Sequence, residues 1–460
     1  MKKRSLVWFF RSLVAVAVVI CLPPRAWAQV GGGDARAAFS QAYAAYTAAI
    51  EAGDHASALT AAKRAYENGS AHFGRVNDNT GALAMNYGNT LALSGADNAA
   101  AAEVFREADA IYEELHGASS LQRLEALLAL ASVQETLEDR LASINAALSM
   151  HRAVLPDEHI AYARLQSHGG ELLASVWNGT DEARRMLEDA LNTLEEEYGA
   201  DSPELFPTLL ALATNAPASE APGRRQLALF ERTVEIARTT DSDEDVADLE
   251  LEIAYRLGRQ FRGYEDAMPY ARSALGVYER LFGADHPKTA LATLTLGQAF
   301  VATGDSEQGE STVAKATQFY EGKPEYASNL IRARQLLMSV YAARGDEERY
   351  TEQLMEVGRL SEGLPTPVEY LPIVKAAPVY PVEAARCGAD GYVMVQYTVD
   401  EQGQVRDPVV VQSDNTCGGV GVFDQAAITS TLKYRYLPRF ENGVAVSVPG
   451  VTTRIIFEIL

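Results

Sequence analysis

Residues 391–405 have the sequence GYVMVQYTVDEQGQV, and this stretch decides the fold of the C-terminal part of the chain. Valine or tyrosine occupies every second position from Val393 to Val399, which is the period of a half-buried strand. Asp400 to Gly403 supply a glycine-containing turn, and a second alternating run starts at Val405. The stretch therefore predicts an antiparallel hairpin.

The residues after this hairpin predict one helix and one further strand. Apolar residues at spacings of three and four, from Phe423 to Thr431, favour a helix, and Asn442 with Gly443 favours a turn. The last strand is expected from Arg454 to Leu460. Its two faces carry different residues, namely Ile455, Phe457 and Ile459 on one and Arg454, Ile456 and Glu458 on the other.

Several of these motifs, in this order, resemble the TonB C-terminal domain family over roughly the last fifth of the chain. They are Tyr380 with Pro381, the hairpin of residues 391–405, FDQAAI from Phe423, LPRFENG from Leu437, and the closing RIIFEIL. The resemblance implies a small α+β module in which helices cover one face of a three-stranded antiparallel sheet. It also implies contact with a short peptide segment of outer-membrane receptors and transmission of energy from the inner membrane.

Two places in this module are candidates for binding a partner. Tyr380 and Pro381 match the family motif near the segment that meets receptor peptides, although Tyr380 equally suits a plug at the end of the sheet. The last strand is the stronger candidate, because the backbone groups of Arg454, Ile456 and Glu458 would bind an extended peptide if that strand is a sheet edge. Its charged residues equally suit protection of an edge against aggregation.

The region upstream is predicted to consist of helical repeats. Turn positions recur every 41 or 42 residues, at Gly53, Gly95, Leu137, Gly179, Ala221, Gly263, Gly304 and Gly345. Glycine ends a helix readily because it adopts left-handed dihedrals, so each position indicates a turn between paired helices. The pattern resembles tetratricopeptide repeats of the long, kinesin-light-chain type, and the GADxP signals at Gly199 and Gly283 support it.

The predicted fold class is mostly α, with a repeat solenoid followed by the small α+β module. About eight helix pairs are expected over residues 34–360, a proline-rich linker over 361–375 and the TonB-like domain over 376–460. Each pair leaves an apolar face that only its neighbour covers, so the pairs are expected to stack and to offer a groove for a peptide.

The net charge of minus 22 makes nucleic acid an unsuitable partner, because phosphate backbones repel an acidic surface. The first 28 residues carry plus 5 and residues 366–460 carry minus 3, which leaves minus 24 for the residues between them. This acidic excess suits either a groove that binds basic peptides or an outer face that is simply solvated.

Residues 1–28 are expected to be a signal peptide, with a basic start, an apolar run from Leu13 to Leu22 and a small-x-small site ending at Ala28. Cleavage there places the protein in the periplasm; the alternative is retention as a single-pass inner-membrane anchor, which is the only membrane contact expected. Export to an oxidising compartment favours a disulfide between Cys387 and Cys417, although two unpaired thiols are the alternative.

Motifs for catalysis or for a cofactor do not occur in the sequence. The seven histidines form no HExxH pair and no cysteine accompanies them, so neither a metal site nor an enzyme is expected. The leading hypothesis is a non-enzymatic periplasmic protein that binds a TonB-dependent receptor or another envelope protein through its module and a second partner through its repeats. The alternatives are an inner-membrane energy transducer and a structural scaffold without receptor contact.

Overall fold

The structure is a computed structural model that describes residues 33–95, 97–174, 181–216, 220–362, 370–417 and 419–458. The predicted signal peptide therefore lies outside the described residues, as do residues 363–369 of the predicted linker. The chain divides into two compact units between Ala267 and Met268, and each unit is described by itself.

The first unit is entirely helical in its described part. Its helices are Gly33–Glu51 (α1), His55–Phe73 (α2), Asp78–Ser94 (α3), Asn98–His116 (α4), Leu121–Val133 (α5), Leu137–Val154 (α6), His159–Ala174 (α7), Asp181–Tyr198 (α8), Phe206–Thr214 (α9), Arg224–Thr240 (α10) and Asp243–Gly258 (α11). Consecutive helices pack against each other, and α3, α5, α7 and α9 also contact one another in succession. These odd-numbered helices therefore form the inner layer of the stack.

Helix α12 (Tyr264–Phe282) contains the division, and the second unit continues with four more repeat helices. They are Pro287–Ala302 (α13), Ser306–Tyr320 (α14), Ala327–Arg344 (α15) and Glu347–Leu360 (α16). The described helices α1 to α16 form eight consecutive pairs, and the predicted helical solenoid is confirmed.

The turns show why the repeat period could be found in the sequence. Gly345 has a φ of 69°, a left-handed conformation that suits glycine, and it ends α15. The side chain of Asp346 then accepts a hydrogen bond from Arg349 N at 3.1 Å and begins α16. The same glycine-aspartate pair joins α1 to α2 and α13 to α14. The turn is a local feature, so its spacing marks each repeat.

The C-terminal module contains a three-stranded antiparallel sheet, as predicted. Its elements are Val382–Ala385 (α17), Gly391–Val399 (β1), Val405–Asn415 (β2), Asp424–Thr431 (α18), Arg439–Glu441 (β3), Val444–Val446 (β4) and Val448–Phe457 (β5). The strand order is β2-β1-β5, and β3 pairs with β4 in a separate small hairpin that the sequence analysis did not anticipate.

The core of the module lies on one face of this sheet. Val393, Val395, Tyr397 and Val399 of β1 are all at most 2% exposed and pack with Phe423, Ala427 and Phe457. The alternation in β2 is interrupted by two register shifts against β1, and Val409 and Val411 are consequently exposed.

Strand β5 differs from its prediction in length. It begins at Val448, six residues before Arg454, and ends at Phe457, so Glu458 lies just beyond it. The two faces are as expected where they are described, because Ile455 and Phe457 are buried while Arg454, Ile456 and Glu458 are exposed. Ile459 and Leu460 lie outside the described residues.

Candidate functional site

Strand β5 forms one edge of the sheet, because among the described strands it pairs with β1 alone. Its pairing with β1 is regular from Phe457, opposite Gly391, to Val451, opposite Tyr397. An edge of this kind presents main-chain donors and acceptors on its outer side. Which residues of β5 present these groups depends on which of them direct their main-chain groups at β1.

The hydrogen bonds of Asp390 show which main-chain groups at the start of β1 face β2 and which face β5. Its carbonyl accepts from Thr416 N and its N–H donates to Thr416 Oγ1, both at 2.9 Å, so both of its main-chain groups face the β2 side. Main-chain groups of consecutive residues in a strand point to opposite sides, so those of Gly391 face β5. Gly391 is opposite Phe457, which therefore directs its own main-chain groups at β1.

Ile456 and Arg454 consequently direct their N–H and C=O groups away from β1, to the outer side of the sheet. The pairing with β1 is regular here, so the direction of the main-chain groups alternates from Phe457 along the strand. The side chain of Ile456 is 59% exposed. Two of the three predicted backbone positions thus lie in an open strand edge, and Glu458 lies one residue past the strand end.

The opposite edge, β2, is less suited to strand addition. Pro408 has no N–H to donate, and Asp407 has a φ of 50°, which interrupts the extended conformation. One register shift against β1 falls at these two residues, and the other falls between Val410 and Gln412. Bulges and proline are features that protect an edge from pairing, so the two edges differ in chemistry.

Tyr380 and Pro381 pack at the end of the sheet. The Tyr380 ring lies edge-on to Phe423, with ring centres 5.5 Å apart, and its hydroxyl donates to the backbone oxygen of Ala389. Pro381 precedes α17, and its carbonyl accepts from Ala385 N at 3.0 Å. The polar end of Tyr380 is therefore committed to the fold of the module.

The predicted disulfide is present between Cys387 and Cys417, whose Cα atoms are 6.3 Å apart. It joins the segment after α17 to the loop that follows β2. The bond therefore ties together the two chain segments at the end of the sheet where Asp390 pairs with Thr416.

Charge is unevenly distributed over the repeats of the first unit. The inner helices α3, α5, α7 and α9 contain only three acidic residues between them, Asp78, Glu125 and Glu171. Helix α8 alone contains seven and α4 contains five. Both are even-numbered helices outside the inner layer, so part of the acidic charge lies on the solvated outer face, although the odd-numbered helix α11 also contains six acidic residues.

Burial perturbs one acid of the inner layer. Glu125 of α5 has its pKa raised above the usual range, because burial disfavours the charged carboxylate.

An open cleft of about 550 Å³ separates part of α16 from the module. Glu347, Glu348 and Glu352 line its helical side, and Gln402, Gln404 and Arg435 line the other. Among the described residues, no group of three or more histidine, cysteine, aspartate or glutamate side chains could hold a metal ion. Within the same ranges, none of the helices combines the length and hydropathy needed to cross a membrane.

Residues 376–459 match the family model of the Gram-negative bacterial TonB protein C-terminal domain. A tetratricopeptide repeat model matches residues 178–204 and 252–288. The chain therefore joins a tetratricopeptide region to a TonB C-terminal domain. Both are protein-interaction families, and the TonB match associates the chain with the bacterial envelope.

Comparison with solved structures finds several helical proteins. BtubC (BKLC) from P. vanneervenii matches at 17% identity and a TM-score of 0.30, over 60% of this chain and 95% of that chain. The Rap conjugation gene regulator of plasmid pLS20, in complex with the Phr* peptide, matches at 15% identity and 0.35, over 76% and 85%. Rap protein complexed with competence and sporulation factor matches at 12% identity and 0.35, over 72% and 93%. No curated protein sequence matches the chain significantly.

Sequence analysis missed two features of the site. Tyr392 of β1 lies beneath the guanidinium group of Arg454, and Gly358 of α16 contacts the module. The alternation of β1 places Tyr392 on the open face of the sheet, but only the strand order brings it beside Arg454. Gly358 resembles any other helical glycine in the sequence.

Proposed function

We propose that this protein is a non-enzymatic, periplasmic interaction protein of the TonB-linked envelope transport system. Its C-terminal module captures an extended segment of a TonB-dependent receptor or another envelope protein by strand addition to β5, and its repeats bind a second partner. The single observation that carries the proposal is the outward direction of the main-chain groups of Ile456 and Arg454.

The contrast between the two sheet edges supports the choice of β5. An added strand needs a run of donors and acceptors at regular spacing. The ladder of β5 is regular from Val451 to Phe457, whereas β2 is interrupted by Asp407 and Pro408. A strand added at β5 would therefore form main-chain hydrogen bonds at Ile456 and Arg454.

The distribution of acidic residues over the repeats favours a partner that does not bind through electrostatic attraction alone. Helices α3, α5, α7 and α9 contain only three acidic residues between them, while α4, α8 and the odd-numbered α11 together contain eighteen. Acidic groups on a solvated face keep a protein soluble and repel nucleic acid. A peptide lying against α3, α5, α7 and α9 would meet few acidic side chains.

The test replaces Ile456 with proline, which removes the outward N–H from the edge. Recovery of envelope proteins by the full-length protein in a pull-down should fall at least tenfold. This factor corresponds to a loss of about 1.4 kcal/mol of binding free energy. Ile456→Ala is the matched control, because it shortens the same side chain and keeps the N–H. If the folded proline variant recovers partners as the wild type does, strand addition at β5 is wrong.

The periplasmic location is tested separately by N-terminal sequencing of the protein purified from its host. We expect the mature chain to start at Gln29, after the small-x-small site. A chain that keeps residues 1–28 in a membrane fraction would contradict the periplasmic proposal and favour an anchored transducer.

A further inference from the structure

Residues 435–443 of the module, here termed the docking segment, contact the last repeat helix. Gly358 of α16 faces this segment, and a Cβ added there would lie 2.7 Å from the carbonyl oxygen of Pro438 and 3.1 Å from Cε2 of Phe440. Any larger residue would push the two elements apart. The close approach therefore requires glycine at this position.

Two further contacts lie on either side of Gly358. Leu437 packs against the buried cluster that includes Tyr350, Leu354 and Val357 of the last repeats. Gly443 N donates to both carboxylate oxygens of Glu362, at 3.1 and 3.2 Å. Apolar packing and charge-assisted hydrogen bonds thus act together on one short segment.

The docking segment is also held from its other side by the chain that enters the module. Ile373 N donates to the carbonyl oxygen of Arg435 at 2.8 Å, and the Tyr370 hydroxyl donates to that of Leu437 at 2.7 Å. The Tyr370 ring lies 4.9 Å from the ring of Tyr436. These contacts hold residues 435–437 of the docking segment against the chain that enters the module.

The contact with α16 resembles those that join one repeat to the next. In the first unit, Gly69 of α2 faces the side chain of Leu83 of the following helix, at 2.2 Å from an added Cβ. In the second unit α14 packs on α15, and after α16 the next element in contact is β3. The module therefore contacts the helix against which a further repeat would pack.

We propose that the docking segment is the C-terminal cap of the repeat array. It covers the apolar surface of α16 that a further repeat would otherwise cover, so the last two helix pairs and the module fold and move as one body. Repeat arrays need such a terminal cap, because the last pair cannot bury its own apolar face. Strand β5 consequently keeps a fixed position relative to α13 to α16.

The test is amide hydrogen exchange in the full-length protein carrying Gly358→Val. Exchange in α16 should become faster by about tenfold or more, since the clash with Pro438 and Phe440 displaces the cap. Valine has a higher helix propensity than glycine, so a loss of protection cannot come from the helix itself. Exchange in β1 should stay unchanged and show that the module remains folded.

Gly276→Val is the matched control, because Gly276 lies inside α12 with nothing within 4 Å of an added Cβ. It should leave exchange in α16 unchanged. Phe440→Ala is the second variant; it removes the ring beside Gly358 without a clash and should also expose α16. Unchanged exchange in α16 with both Gly358→Val and Phe440→Ala would overturn the proposal. If Gly358→Val also exposes β1, the outcome with Phe440→Ala decides.

Discussion

The guanidinium carbon of Arg454 lies 4.1 Å from the centre of the Tyr392 ring. The same tyrosine accepts a hydrogen bond from Gln412 Nε2 at 2.6 Å, so one residue of the central strand is bonded to side chains of both edge strands. The three side chains form a row across the open face of the sheet. This row fixes the side chain of Arg454, while its main-chain groups stay on the outer side of β5.

The stacking of Arg454 on Tyr392 should be measurable as a coupling energy. Arg454→Met and Tyr392→Leu are each expected to reduce the free energy of unfolding, and the double variant should reduce it by less than their sum. The difference should be about 0.5–1 kcal/mol, which is the range for a cation–π contact at an exposed site. Urea unfolding followed by near-ultraviolet circular dichroism measures it, and a coupling near zero would contradict the contact.

The disulfide should stabilise the module substantially. Cys387→Ser is expected to lower the free energy of unfolding by about 3.5 kcal/mol in the chain-entropy model, because the bond closes a loop of 30 residues in the unfolded chain. Cys417→Ser should give the same loss, and the double variant should lose no more than either single one. A larger loss in the double variant would mean that the thiols act separately from the bond.

Substituting two glycines of the module in turn should distinguish the cost of backbone strain from the cost of a steric clash. Gly403 and Gly443 both have a φ of 76°. A Cβ at Gly403 would lie 2.1 Å from the carbonyl oxygen of Tyr436, whereas Gly443 has nothing within 4 Å. Gly443→Ala should therefore cost about 1–2 kcal/mol for the left-handed conformation alone. Gly403→Ala should lower the free energy of unfolding by more. Equal losses for the two variants in urea unfolding would show that the hairpin turn moves to relieve the clash.

The helical repeats could be predicted because their signals are local. A turn such as Gly345 with Asp346 ends one helix and begins the next within two residues, whatever surrounds it. The hairpin of β1 and β2 is local in the same sense, because its turn lies between its strands. These elements were accordingly placed from the sequence.

The strand order and the docking segment depend on contacts between distant residues. The alternation around Ile456 predicts a strand but does not say which strand lies beside it, and Pro449 with Gly450 hides the start of β5. Phe440 lies 82 residues after Gly358 in the sequence, so nothing near either residue signals their contact. The local periodicity of a helix or a strand cannot identify such contacts between distant residues.

Alkaline pH should destabilise the module through the buried Tyr397 and Tyr436 and through Tyr370, which is 36% exposed. Burial raises the pKa of Tyr370 to about 12 and also raises those of Tyr397 and Tyr436 above their ordinary value. A hydroxyl with a raised pKa contributes its full stability below the unfolded pKa of about 10, and this is lost as pH rises through the folded pKa. The urea midpoint of the module should therefore fall steeply between about pH 10 and pH 12 and recover on return to pH 8.

Tyr370→Phe tests that explanation with one group removed. The phenylalanine keeps the ring on Tyr436 but has no hydroxyl to ionise and no hydrogen bond to Leu437. This variant should be less stable than the wild type at pH 8 and lose less additional stability between about pH 10 and pH 12. Tyr255→Phe in α11, where the ring is 45% exposed, is the control and should follow the wild type throughout. If Tyr370→Phe loses as much as the wild type over that interval, the alkaline transition comes from other groups. The contact between Tyr370 and the docking segment would then be unrelated to it.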